Sequence, residues 1–207
     1  VRPDADMGYR ACLNASLEVP EGSVGAGTGA TVGKLLGIGR AMKGGLGTWA
    51  IRGPRGVEGE ALVVVNAFGD ILDPETGRQL AGPLDERGRL LSTRDLLSQG
   101  VRKKNFSPFP QNTTLAVVAT NAWLDKIAAS RLAQMASLSL ARVISPFGTP
   151  FDGDVVFAAS LGEAELDLNN LAVLAERAIT EAVKRAILKA EGFGAVPSWR
   201  DLFGEGL

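Results

Sequence analysis

Apolar and polar positions along this chain follow two rhythms, one helical and one extended, and the changes between them mark the elements. Residues 7–17 place Tyr9, Cys12 and Leu13 at helical spacing, which predicts a short helix with Cys12 as a small buried apolar side chain. Residues 22–34 are a glycine-rich loop. Around Trp49 and Ile51, and again at Ala61–Val65, the pattern becomes extended; the β-branched run Val63, Val64, Val65 suits a covered sheet. A turn at Phe68-Gly69 leads into a short return strand at Asp70–Asp73.

From Pro74 to Gln111 the rhythm weakens, broken by Gly77, Gly82, Pro83, Gly88, Gly100, Pro108 and Pro110. One short helix fits at Thr93–Gln99. A poorly patterned stretch of this length inside a compact domain is often functional, and this one is expected to be exposed enough to be cut. Order resumes after Asn112. Thr114–Thr120 reads as an apolar strand, and Leu124–Val143 as a long helix with Ile127, Leu132, Met135 and Leu140 toward the core. Asp154–Ala159 reads as a buried strand. Leu168–Glu191 is a second long helix, striped by Leu171, Leu174, Ile179, Val183 and Ile187 and ended by Gly192. The tail carrying Trp199 and Phe203 is expected to pack back on the surface. Strands followed by two long helices argue for a layered α+β fold in one domain spanning 1–207, and two sheets between helical layers would house the two buried strand sets.

Composition changes this picture mainly by what is missing. The chain has no histidine, which removes Ser-His-Asp and Cys-His catalysis from these residues and takes away the commonest transition-metal ligand. A base must come from a carboxylate, a lysine, or an α-amino group released by cutting the chain. Cys12 is the single cysteine, so neither an internal disulfide nor a cysteine-based zinc site can form. Net charge is -1 with the two signs interspersed, and Arg102-Lys103-Lys104 is the one dense basic run, so nucleic acid is not an expected partner. No apolar run approaches the roughly 20 residues that span a bilayer. With no leader in view the expected location is cytoplasmic, although a start at Val1 reads as a start inside a longer polypeptide.

Four motifs carry candidate chemistry. The glycine loop fails as a P-loop, since Thr28 stands where the first glycine belongs and Leu35 follows Lys34. A dinucleotide fingerprint at Gly25, Gly27 and Ala30 lacks a preceding strand, because Pro20 occupies its place. The loop is therefore either a glycine bridge between elements or a backbone that approaches a substrate and delivers Lys34. Asn112-Thr113-Thr114 matches a glycosylation sequon, as does Asn14-Ala15-Ser16, and Asn112 also serves as a turn residue. Its chemical reading is self-cleavage. The Thr113 hydroxyl attacks the preceding carbonyl, the acyl group shifts to oxygen, and water frees a threonine bearing both nucleophile and α-amine. An unperturbed α-amine titrates at about 7.7–8.0, which suits a general base. Asp152-Gly153-Asp154 is a turn by its commonest use; if extended, its carboxylates face one side. Asn66 ends a strand and is either a turn-former or a side-chain donor to an oxyanion.

Together the blocks Gly25–Lys34, Val63–Asn66, Asn112–Asn121 and Phe151–Phe157, in this order, resemble the self-processing L-aminopeptidase/D-esterase (DmpA-type) family. That family includes β-peptidyl aminopeptidases and nylon-oligomer (6-aminohexanoate) hydrolases. The resemblance implies an αββα sandwich like that of N-terminal-nucleophile hydrolases and cleavage into an α chain ending at Asn112 and a β chain, 113–207. It also implies a homo-oligomer, often a tetramer of processed units, acting on a peptide or amide without a cofactor. By position it makes Thr113 the nucleophile, Asn66 an oxyanion donor and Lys34 a tuning neighbour. Asp152 and Asp154 would hold the amine and hydroxyl of Thr113. Gln111 departs from the family's usual glycine, and Phe147-Gly148 stands where a histidine is often found. The second reading is an ornithine-acetyltransferase-like acyl transferase, which uses the same self-released threonine.

Overall fold

The computed structural model describes residues 3–103, 112–194 and 196–204. Lys104, Pro108, Pro110 and Gln111, singled out above, lie outside the described residues. The elements in chain order are α1 (Ala5–Leu13), β1 (Thr31–Val32), β2 (Met42–Lys43), β3 (Gly45–Arg52), β4 (Glu58–Val65), β5 (Asp70–Leu72) and β6 (Gln79–Ala81). There follow α2 (Thr93–Ser98), β7 (Leu115–Ala122), α3 (Lys126–Ser139), β8 (Ile144–Ser145), β9 (Val155–Ala164), α4 (Leu168–Leu188) and α5 (Trp199–Phe203).

A four-stranded sheet in the order β3-β4-β7-β9 forms the centre, and β6-β5-β8 form a smaller sheet beside it. The two strand sets read from sequence as separate thus join in one sheet. Within it β7 and β9 run parallel, while β3-β4 and β4-β7 are antiparallel. Helices α3 and α4 pack on one face; α4 lies over β3 and β4, and α3 over β9. Side chains alternate across a strand, so Ala61, Val63 and Val65 of β4 and Ala116 and Val118 of β7 are buried beneath these helices. On the other face Leu115 and Val117 of β7 stand exposed, as do Val155 and Phe157 of β9. The expected buried strand at Asp154–Ala159 is therefore longer and half open.

Helix α4 matches its sequence stripe: Leu171, Leu174, Ala175, Ala178, Ile179, Ala182, Val183, Ala186 and Ile187 are buried at three- and four-residue steps. Asp167 caps its first turn by accepting from the Asn169 N–H at 2.8 Å. Close approach to β3 needs small residues on the strand. A Cβ at Gly47 would come within 2.0 Å of the Ala182 carbonyl, a clash no real side chain tolerates. In α3, Leu132 and Leu140 are buried as expected, but Ile127 is 80% exposed. Cys12 is exposed rather than buried, because α1 buries none of its residues. The pattern-poor stretch is more ordered than its rhythm suggests: β6 and α2 lie in it, and Leu80, Ala81 and Leu84 join the core. Among the described residues, no helix is long and apolar enough to cross a membrane.

Candidate active site

The parallel pairing of β7 with β9 dictates where the candidate residues meet. Its register, Leu115 opposite Val155, continues beyond the strand ends to an isolated bridge between Asn112 and Asp152. Thr113 is thereby set beside Gly153. The Gly153 N–H donates to the Asn112 carbonyl at 2.9 Å, and the Val155 N–H donates to the Thr114 carbonyl at 3.1 Å. Asp152-Gly153-Asp154 is thus an extended rail along the Asn112-Thr113-Thr114 segment, not the turn its residues suggest. Alternation places Thr113 on the sheet face not covered by helices, with Leu115 and Val117, while Thr114 is fully buried.

Thr113 is held at both ends. Its hydroxyl donates to the Asn112 carbonyl oxygen at 2.7 Å, and its backbone N–H donates to the Asn66 carbonyl at 2.9 Å. Asn112 is itself buried, and its side-chain Nδ2 donates to the Phe151 carbonyl at 3.1 Å. A Cβ at Gly153 would stand 3.1 Å from the Thr113 hydroxyl, so the glycine keeps that side of Thr113 clear.

Lys34 arrives from the glycine loop, where Gly33 takes a left-handed conformation at φ 70° with its N–H donating to the Gly69 carbonyl at 3.0 Å. Lys34 is 2% exposed. Its Nζ reaches Asn66 Oδ1 at 2.6 Å and the Asn66 carbonyl at 3.3 Å. Burial brings its ammonium down to about 7 against the attraction of Asp152 and Asp154, with the positive charge of Lys103 pushing the same way as burial. Asn66 Oδ1 also accepts from the Thr31 N–H at 3.2 Å. With two donors on Oδ1 the orientation of this amide is defined, and its Nδ2 is directed away from them.

The two carboxylates take other partners than the expected ones. Asp154 Oδ1 accepts from the Thr114 N–H at 2.6 Å. Asp152 Oδ1 accepts from the Phe68 N–H at 3.0 Å, and its Oδ2 accepts from the Thr149 hydroxyl. Asp154 thus holds the backbone next to Thr113, while Asp152 holds Phe68 and Thr149. Burial raises the Asp154 carboxyl, and Asp152 adds to that through like charge.

Lys34, Asn66, Asn112, Thr113, Asp152 and Asp154 therefore share one bonded network, drawn from the glycine loop, the end of β4 and the start of the β7-β9 pair. Sequence reasoning missed Gly153, Thr31, Thr149 and the aromatic pair Phe68–Phe151, whose ring centroids lie 5.1 Å apart. Gly153 was hidden by its familiar turn use, and the others act through backbone or spatial contacts that leave no spacing signal.

The model of peptidase family S58 matches residues 2–196. An uncharacterized aminopeptidase of Mycobacterium tuberculosis is 35% identical over 222 residues, covering 98% of this chain and 62% of the relative. A 6-aminohexanoate-oligomer endohydrolase of Kocuria sp. is 32% identical over 170 residues, covering 80% of this chain and 47% of that protein. This chain thus spans about three fifths of its mycobacterial relatives, and less of the oligomer hydrolase. Among solved structures, the L-aminopeptidase D-Ala-esterase/amidase from Ochrobactrum anthropi, a variant of the Ntn hydrolase fold, superposes with a TM-score of 0.61 at 25% identity. That match covers 93% of this chain and 51% of the other. A Burkholderia sp. β-aminopeptidase gives a TM-score of 0.60 at 25% identity over 93% and 53%.

Proposed function

Since this chain belongs to peptidase family S58, we propose that it is the nucleophile-bearing part of a self-cleaving amide hydrolase, with Thr113 as nucleophile. One observation carries the reading: the Asn112 carbonyl oxygen is met on one side by the Thr113 hydroxyl at 2.7 Å and on another by the Gly153 N–H at 2.9 Å. A hydroxyl beside the carbonyl it must attack, with a backbone donor already on the oxygen where charge will develop, is an arrangement suited to acyl transfer.

In self-cleavage, Thr113 Oγ1 bonds to the Asn112 carbonyl carbon while its proton passes to a base. The bond to the Thr113 nitrogen then breaks, and that nitrogen takes up a proton, leaving an ester. Water hydrolyses the ester to give an Asn112 carboxylate and a free Thr113 amine. Lys34 suits the role of base for this first cut, when no α-amine yet exists. As a neutral amine it keeps two N–H donors for the two Asn66 oxygens and a lone pair for the proton.

In turnover, the freed amine stays near the Asn66 carbonyl and serves as base, while the same hydroxyl attacks the substrate's amide carbon. Asn66 Nδ2 is the side-chain donor for the resulting oxyanion. The products of self-cleavage are chains 1–112 and 113–207, assembled as a homo-oligomer. Peptide or amide substrates fit this chemistry, and release of the acyl group to water separates a hydrolase from an acyl transferase.

N-terminal sequencing of the purified full-length protein tests the proposal. The expected result is a fragment that begins at Thr113, and a single intact band for Thr113→Ala. A protein that turns over amides with the Asn112–Thr113 bond unbroken would sink it.

A further inference from the structure

We propose that Lys43 is a positioning residue for turnover, acting on the oxyanion donor Asn66 through the Ala30–Thr31 peptide. Lys43 ends β2 and is 2% exposed. Its Nζ donates to the Thr28 carbonyl at 2.8 Å and to the Ala30 carbonyl at 3.0 Å. Both acceptors lie in the glycine-rich loop that leads to Lys34. A Cβ at Gly25 or at Gly29 would meet nothing within 4 Å, so the outer side of this loop is unpacked. Its shape there depends on what holds it from within.

The peptide between Ala30 and Thr31 is one planar unit whose oxygen and hydrogen point in opposite directions. Its oxygen accepts from the Lys43 ammonium at 3.0 Å and from the Gly44 N–H at 2.9 Å. Its hydrogen is directed at Asn66 Oδ1, which lies 3.2 Å from the Thr31 nitrogen. A cation on the oxygen draws electron density along the peptide and makes the Thr31 N–H a stronger donor. The same effect passes through the Asn66 amide, from Oδ1 to the Nδ2 hydrogens that meet the oxyanion. Lys43 thus orients and polarises the donor across two amides without touching the substrate.

The fold itself does not call for a lysine here. The Ala30 carbonyl already has the Gly44 N–H, and the β1-β2 ladder sets Thr31 opposite Lys43 and Val32 opposite Met42. Burial draws the Lys43 ammonium below the ordinary lysine range, and among the described residues no carboxylate offsets it. Burying a cation without a counter-charge is costly, and an apolar side chain of similar length would fill the same space without that cost. A buried charge kept one peptide away from Asn66 therefore points to the reaction rather than to the fold. The inference rests on the hydrolase reading above and adds a residue to its oxyanion step.

The test is a double-mutant cycle on kcat in processed full-length protein, with alanyl p-nitroanilide and p-nitrophenyl acetate as probes. Lys43→Met is expected to lower kcat about 10-fold with KM little changed, a part of the roughly 10²–10³ lost with a whole oxyanion donor. In an Asn66→Ala background the donor is already gone, and the same change is expected to lower kcat by less than about twofold. Equal losses in both backgrounds, or no loss in either, overturn the role of Lys43 while leaving the hydrolase standing. Melting temperatures report folding, and if Lys43→Met does not fold, Lys43→Gln takes its place in the cycle. Failure of both to fold makes Lys43 a structural residue and overturns the proposal. So does a Lys43→Met chain that folds but does not split at Thr113, since the lysine then acts on the first cut. A wild-type chain that turns over neither probe overturns the hydrolase reading, and this one with it.

Discussion

The backbone nitrogen of Thr113 and the side-chain nitrogen of Lys34 share one acceptor, the Asn66 carbonyl oxygen, at 2.9 and 3.3 Å. One oxygen thus gathers the nitrogen proposed as base after cleavage and the buried amine proposed as base before it. The end of β4 consequently does more than close a strand. It sets the position of both nitrogens against a single point, and the Asn66 side chain, anchored by Thr31 and Lys34, projects from the same residue.

That arrangement makes self-cleavage pH-dependent in a stated direction. Lys34 is brought down to about 7, chiefly by burial, and only its neutral form can take the Thr113 proton. The first-order rate of splitting is expected to rise with pH through about 7 and to level off above it. Lys34→Met should remove the rise and slow the splitting. Quenched time courses of freshly synthesised chain, resolved on denaturing gels from pH 5.5 to 9, measure this. A rate that is flat across that range in the wild-type chain would exclude Lys34 as the base.

Gly153 offers a steric test of the same step. A methyl group there would stand 3.1 Å from the Thr113 hydroxyl, tighter than ordinary contact, and is expected to push that hydroxyl a few tenths of an ångström from its place beside the Asn112 carbonyl. Misplacement of a reacting group by about 1 Å can cost 100-fold. Gly153→Ala should therefore split about 10-fold to 100-fold more slowly, while its melting temperature stays close to that of Thr113→Ala. Splitting at the wild-type rate would show that the rail beside Thr113 has room to spare.

For turnover the sensitive residue is Asn66. Removing one side-chain oxyanion donor typically lowers kcat by about 10²–10³. Asn66→Ala is expected to show a loss of that order with KM altered much less. Because Asn66 Oδ1 also anchors Lys34 and the Thr31 N–H, Asn66→Asp serves as a partner variant that keeps an acceptor and loses the donor. Both variants should be impaired in steady-state assays of processed protein. Full activity in Asn66→Asp would assign Asn66 an anchoring role alone.

Much of this was legible in the chain itself, and the rest was not for identifiable reasons. The long helix α4 was readable because its apolar residues keep one period over its whole length. Thr113 stood out through an absence, since a chain without histidine needs a base from elsewhere and Asn112-Thr113 sits at a break in rhythm. The exposure of Cys12 and Ile127 was not readable, because spacing marks a helix face without saying whether anything covers it. The partners of Asp152 and Asp154 were hidden as well. The Asp154 contact with Thr114 follows from the register of a parallel strand pair whose members lie about forty residues apart, and parallel pairing has no local signature of the kind a hairpin turn supplies; Asp152 finds Phe68 and Thr149 outside that pair.

A buried carboxyl away from Thr113 gives the clearest stability test. Asp70 is 3% exposed, accepts the Thr93 N–H at 2.8 Å and pairs with the Thr93 hydroxyl. Burial pushes its carboxyl up from 3.8 to about 7, outweighing the Thr93 bonds that favour the charged form, and Asp95 adds like-charge repulsion. The folded chain therefore keeps a proton that the unfolded chain has already lost. Between about 3.8 and 7 the folded state binds more protons, so this group's contribution to stability falls as pH rises and is flat above that window. Asp70→Asn has the shape of the protonated acid, with an oxygen for the Thr93 N–H and an amide to meet its hydroxyl. The difference in unfolding free energy, Asp70→Asn minus wild type, should therefore grow from pH 4 to 7 and then hold constant, as read from urea titrations at fixed temperature. A difference that shrinks over that interval would mean that the Thr93 bonds outweigh burial and that Asp70 folds as a carboxylate.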